Sequence, residues 1–187
     1  GVPFKNAPAS NVDAKRNNDV KADDAFSVAS NITNLMFENI STIHFDKKAG
    51  TLVDTFDGKK GTTVTVFDAA YSLEALRIFQ RAIDALPVGY GSADGAKSLE
   101  SAQGKEALKL IKTQADFLIK NAKDKNGLYV SKIDIKTNQK SDLDLGTQFA
   151  VVRGLTAAFL ATGDKNYRQE ARKLFLAIEK NMYKEKL

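Results

Sequence analysis

The chain has 187 residues, a net charge of +5, a single histidine, and neither cysteine nor tryptophan. Without thiols it has no zinc–thiolate or iron–sulfur site, no thiol catalysis and no disulfide, and one His44 makes no multi-histidine metal centre. Basic and acidic residues alternate along the chain, a pattern of solvated faces, whereas a nucleic-acid partner needs clustered basic charge.

No metal, cofactor or nucleic acid is therefore expected. An apolar fraction of 43% and a charged fraction of 27% are those of a globular protein. No transmembrane segment is expected, because no apolar run approaches the roughly 18 residues that span a bilayer.

Residues 1–22 are polar, hold two of the three prolines and show no apolar period. They read as a disordered linker or tether, because such composition buries too little apolar surface to offset the entropy of ordering. Gly1 in place of a methionine reads as a tag scar or as the end left by a removed targeting segment. With the absent thiols, this points to a periplasmic or extracellular setting, although the cytoplasm is also compatible.

Residues 23–187 read as an all-α domain. Helix α1 is expected over 23–40, where Phe26, Ala29, Ile32, Met36 and Ile40 make one apolar stripe at three- and four-residue spacing. Residues 43–66 change period. Gly50, Gly58 and Gly61 punctuate a stretch ending in Thr62-Thr63-Val64-Thr65-Val66, which predicts a short two-stranded hairpin. Helix α2 follows over 67–86 and is apolar most of the way round, as a helix buried on several sides would be. A Gly/Ser/Ala-rich connection occupies 88–103.

Helix α3, over 104–122, carries a clean stripe of Leu108, Ile111, Ala115, Leu118 and Ala122, with its lysines on the wet face. Residues 127–143 repeat the hairpin signal, with Leu128, Val130, Ile133 and Ile135 around a turn at Thr137–Lys140. Helix α4, over 145–162, is again apolar nearly all round. Gly163-Asp164 should break the chain and cap helix α5, over 165–183, whose stripe is Tyr167, Ala171, Leu174, Ile178 and Met182.

The halves align. Gly50-Thr51-Leu52-Val53 matches Gly127-Leu128-Tyr129-Val130, and Ala75-Leu76 matches Gly154-Leu155. Each half runs amphipathic helix, hairpin, apolar helix. Repeat one covers about 23–87 and repeat two about 104–163, with the start of a third at 165–187. Units of this kind bury their cores against one another. The pattern places α2 and α4 in an inner layer and α1, α3 and α5 in an outer one.

This order, with the connection Ala161-Thr162-Gly163-Asp164-Lys165-Asn166-Tyr167 and the Gly127-Leu128-Tyr129 hairpin leading to Asp144–Phe149, resembles the (α/α) toroids. These include the six-hairpin glycosidases, the N-acylglucosamine epimerases and related polysaccharide lyases. The resemblance implies an array of helical hairpins forming part of a toroid, with two small β-hairpins before the inner helices. It also implies a substrate mouth where the inner helices begin.

That mouth would hold Asp54, Asp57, Asp68, Tyr71, Tyr129, Asp134, Asp142, Asp144 and Gln148. Asp68 and Asp144 would be the acid–base candidates for glycoside cleavage, and Asp57, Tyr71, Tyr129, Gln148 and Arg153 the ligand-binding candidates. A competing reading makes these carboxylates turn and helix-start residues, which favour the positive end of the helix dipole. Glu74 and Arg153 occupy equivalent repeat positions and are expected to pair across the inner layer, because a charge on an apolar helix needs a partner.

No P-loop, GxGxxG or GxSxG is present. The scaffold without a convergent catalytic set reads as a non-catalytic binding or assembly domain of an envelope protein, with a glycan, a protein or a second copy as partner. The alternative is a fragment of a carbohydrate-active toroid enzyme. The third reading is a partner-binding arc, which predicts an exposed apolar edge.

Overall fold

A computed structural model describes residues 32–85 and 102–183. The expected tether at 1–22, the first part of α1 and most of the connection at 88–103 lie outside them. The chain divides into two compact units, 1–39 and 40–187. In the first, residues 32–38 are helical and form the described part of α1. A π-helical turn, Asn39–His44, begins on the last residue of the first unit and supplies residues 40–44 of the second. All that follows concerns that unit.

It is mostly helical. Helix α2 spans Val66–Ala85, α3 Ala102–Asn121, α4 Leu145–Thr162 and α5 Lys165–Asn181. Helix α2 packs on α3 and α4, and α4 also packs on α5. The core is drawn from the expected stripes. Leu73 and Leu76 of α2 are buried with Ile111, Ala115 and Leu118 of α3, Val151 and Leu155 of α4, and Leu174 and Ile178 of α5. On α3 the lysines at 105, 109, 112 and 120 stay exposed, as the stripe predicts.

Helices α2 and α4 approach so closely that only glycine fits at 154. A Cβ there would strike the Ala70 carbonyl oxygen and lie 3.2 Å from Leu73 Cδ1. Gly163, with φ of 73°, stops α4, and Asp164 caps α5 by accepting the Asn166 N–H at 2.9 Å.

The strands depart from expectation. Residues 43–66 hold two minimal hairpins, β1 (Phe45–Asp46) with β2 (Thr51–Leu52) and β3 (Thr55–Phe56) with β4 (Lys59–Lys60). The β-branched strand β5 (Thr63–Thr65) pairs instead with β6 (Lys132–Asp134) of the second hairpin region, antiparallel, with Val64 opposite Ile133. Burial explains the choice. Val64 and Ile133 are both enclosed, so this pairing covers apolar side chains that a local hairpin would leave wet.

Strand β6 still closes on its own downstream chain. Asp134 donates its N–H to Gln139 O, and Ser131 to Asp142 O.

The β5–β6 ladder brings the starts of α2 and α4 to one end of the unit. The Val66 N–H donates to Ser131 O at 2.9 Å, and the Ser131 hydroxyl donates to Asp144. Glu74 and Arg153 are each the ninth residue of their helix and meet at 2.7 Å. Helices α2 and α4 therefore run parallel.

The two aligned glycines are both in the left-handed region, Gly50 at φ 75° and Gly127 at 81°. Each ends a turn headed by an aspartate. Asp46 Oδ1 accepts the N–H groups of Lys48 and Ala49, and Asp124 Oδ1 accepts those of Asn126 and Leu128.

Candidate functional site

The rim where α2 and α4 begin holds most of the sequence-selected residues, and the structure separates them into three groups.

The first group is structural. Tyr129 is 0% exposed, so it offers no face for a ligand to stack on. Its hydroxyl finds no hydrogen-bond partner among the described residues. Burial, aided by the negative charge of Glu170, pushes its ionisation well above the usual phenol range. Gln148 is equally buried and grips the Tyr129 backbone: its Oε1 accepts the Tyr129 N–H at 2.8 Å and its Nε2 donates to the Tyr129 carbonyl at 2.7 Å.

A second buried amide does the same work for the first joint. Gln114 of α3 accepts the Leu52 N–H at 2.8 Å and donates to Thr51 Oγ1 at 3.0 Å. Leu52 and Tyr129 are aligned positions, yet the gripping glutamines come from non-equivalent helices. Gln114 lies on the α3 stripe, three residues after Ile111 and four before Leu118, so its burial was legible, whereas its partners more than 60 positions away were not.

Asp144 caps α4. It accepts the Thr147 N–H at 2.7 Å, the Thr147 hydroxyl at 2.6 Å and the Ser131 hydroxyl. The Ser131 and Thr147 bonds hold its carboxyl below the usual carboxylate range. Asp134 organises the second hairpin turn, taking bonds from Thr62, Lys136 and Thr137. Those bonds, the Thr62 hydroxyl foremost, lower its pKa to about 2. Asp57 stands at the tip of the β3–β4 hairpin with φ of 50°, and Asp142 is exposed.

The second group is a groove of about 430 Å³ beside the start of α2. Its polar lining is His44, Asp54, Thr55, Thr65 and Asp68, over Leu52, Val53 and Ala69. Thr55 Oγ1 sits 3.1 Å from His44 Nδ1, and Thr65 Oγ1 donates to Asp54 Oδ2 at 3.1 Å. Asp68 reaches this groove, whereas Asp144 does not line it. His44, which spacing alone left as a packed or surface histidine, is brought to the groove by the π turn.

The third group is an exposed apolar face. On α2, Phe67 and Tyr71 stack with ring centroids 6.3 Å apart. With Glu74 and Ile78 they follow one another at three- and four-residue spacing. On α4, Leu145, Phe149, Arg153, Thr156 and Leu160 do the same. Tyr71 is 55%, Ile78 59%, Phe149 45% and Leu160 56% exposed. The Glu74–Arg153 bridge links the two stripes, so they form one continuous surface on two parallel helices.

This corrects the expectation that both inner helices are buried on several sides, since α4 keeps one apolar flank open. The expected Glu74–Arg153 pair is present, but at the surface, and Arg153 is engaged by a protein carboxylate. A buried carboxylate went unforeseen: Glu170 of α5, bridged by half-buried Lys123 and exposed Lys173. Burial raises the Glu170 pKa, and the two lysines outweigh that and lower it.

Among the described residues no group of three or more His, Cys, Asp or Glu could hold a metal ion. Helix α4 alone among the described helices is long and apolar enough to cross a membrane, and 44% of it is buried inside the protein. That is weak support for a span, since the core helix of a globular protein meets the same criterion. No known protein family, curated protein or solved structure matches the chain.

Proposed function

We propose that this chain is a non-catalytic, all-α binding or assembly domain built from two helix–hairpin units, and that the α2–α4 face is its docking surface. The observation that carries the reading is the continuous exposed apolar face running from Phe67 to Ile78 and from Leu145 to Leu160. Exposed apolar area gathered on one surface and rimmed by polar residues marks an interaction site. The carboxylates add support from the other side. Asp144 and Asp134 are committed to a helix cap and a turn, where a general acid or base would need a free proton site facing substrate.

The unit alignment is supported by the matched left-handed glycines and by the equal helical positions of Glu74 and Arg153. Placement in the cell envelope rests on composition alone.

The test is a photo-crosslinking residue at position 149, compared with the same residue at exposed Lys112 of α3. Protein adducts formed only from position 149 are expected. Equal or absent adducts from both would refute a docking role for the face.

A second reading has one observation in its favour. A groove of 430 Å³ lies within the range of small-ligand sites. Asp68 and His44 line it, and the Phe67–Tyr71 stack begins on the residue beside Asp68. As part of a carbohydrate-active toroid, the groove would take a hydroxylated ligand such as a glycan. Loss of turnover of a glycan panel in Asp68→Asn would favour it, and no turnover by the wild type would leave the docking reading standing.

A further inference from the structure

We infer that a second copy of this chain occupies the α2–α4 face, across a two-fold axis, so that Glu74 of each copy meets Arg153 of the other. The inference rests on the docking reading above and names the partner. The face is roughly 20 Å long at 1.5 Å per residue and two helices wide. Two such faces laid together make a four-helix interface, small for a stable dimer, so the association is weak and depends on concentration.

Charge selects the partner. The chain as a whole carries +5, yet at the centre of the two stripes Glu74 and Arg153 cancel, while Asp68 and Arg81 are exposed toward the two ends of the α2 stripe. Like copies therefore meet here without local repulsion. A purely apolar partner would bury this ion pair with its remaining hydrogen-bonding capacity unmet, at a cost. A partner of single sign would leave one of the two facing like charge.

A two-fold copy presents one Arg and one Glu in reversed order and closes a ring of four alternating charges. An isologous interface requires this self-complementarity, in which residue i meets j and j meets i. The apolar residues Tyr71, Ile78, Phe149 and Leu160 surround that centre and exclude water from it.

The experiment is sedimentation velocity on the full chain from roughly 1 to 100 µM, with Glu74→Arg, Arg153→Glu and their equimolar mixture. The wild type should shift from monomer to dimer across this range. Each variant alone should stay monomeric, because its own copies present like charges to one another. The mixture should recover the dimer, which neither misfolding nor loss of the bridge within one chain can produce.

A wild type that stays monomeric, variants that dimerise alone, or a mixture that does not recover would each overturn the inference. A monomeric wild type whose position 149 still crosslinks to a different protein would overturn self-docking and leave the docking face intact. Absence of both signals would remove both. Flotation of the monomer with phosphatidylcholine vesicles would assign the face to lipid and overturn the inference as well.

Discussion

Replacing Gly154 with alanine tests the contact that fixes the two inner helices. The added methyl would meet the Ala70 carbonyl oxygen head-on, and it would stand 3.1 Å from the Ala70 carbonyl carbon and 3.2 Å from Leu73 Cδ1. Carbon atoms settle at about 3.5–4.0 Å, so α2 and α4 must separate by roughly half an ångström or more. Two of the three obstructing atoms are backbone, which no rotamer change relieves.

Overpacking of a closed core costs about 1–3 kcal/mol, and contact with backbone belongs at the upper end. Glycine to alanine inside a helix returns about 1 kcal/mol of propensity. The net loss is about 2 kcal/mol, or roughly 4–8 °C in Tm for a domain of this size. Urea unfolding followed by far-ultraviolet circular dichroism measures it, with exposed Thr156→Ala on the same helix as control, expected within about 0.5 kcal/mol of wild type. A Gly154→Ala protein more stable than wild type by about the propensity gain would show that the helices do not touch there, and the parallel packing of α2 and α4 would fall.

Other outcomes follow from the buried polar groups. Gln148→Leu leaves the Tyr129 N–H and carbonyl unpaired in the core and should destabilise by roughly 2–5 kcal/mol in denaturant unfolding, while Thr147→Ser, which keeps its bond to Asp144, should be nearly neutral. Asp144→Ala removes the α4 cap and should cost about 1–2 kcal/mol in the same measurement. Asp134 has a folded pKa of about 2 against 3.8 when free. A lowered folded value means its stabilisation is present above pH 3.8 and is lost as pH falls toward 2. Asp134→Asn should therefore flatten the stability–pH curve in that window, and an unchanged slope would show that the Thr62 and Thr137 bonds do not persist in solution.

The helices were legible because their order is local. The stripes of α3 and α5, the cap at Asp144 and the stop at Gly163 are all set by residues within a few positions of one another. The Glu74–Arg153 pair was legible for a different reason, since alignment of the halves placed both charges at one helical level. Strand β5 was misassigned because its partner lies 67 positions or more downstream, and nothing local distinguishes a strand that folds on its neighbour from one that pairs with a distant segment.

Tyr129 was misplaced by the same limit. Leu128, Tyr129 and Val130 are all buried, so both faces of this stretch are covered, which an alternating pattern does not announce. The open flank of α4 was hidden because a wholly apolar helix looks the same in sequence whether its neighbours are present or missing. The groove at His44 was assembled by a π turn and two threonine bonds, none of which leaves a recognisable spacing.

Side-chain footprinting with hydroxyl radicals reads the docking face most directly. Phe67, Tyr71, Phe149 and Leu160 should label readily in dilute protein and become protected as the concentration rises through the micromolar range. Phe56, 87% exposed at the tip of the β3–β4 hairpin and outside the two stripes, should label equally throughout. Equal labelling of all five residues at every concentration would contradict the account.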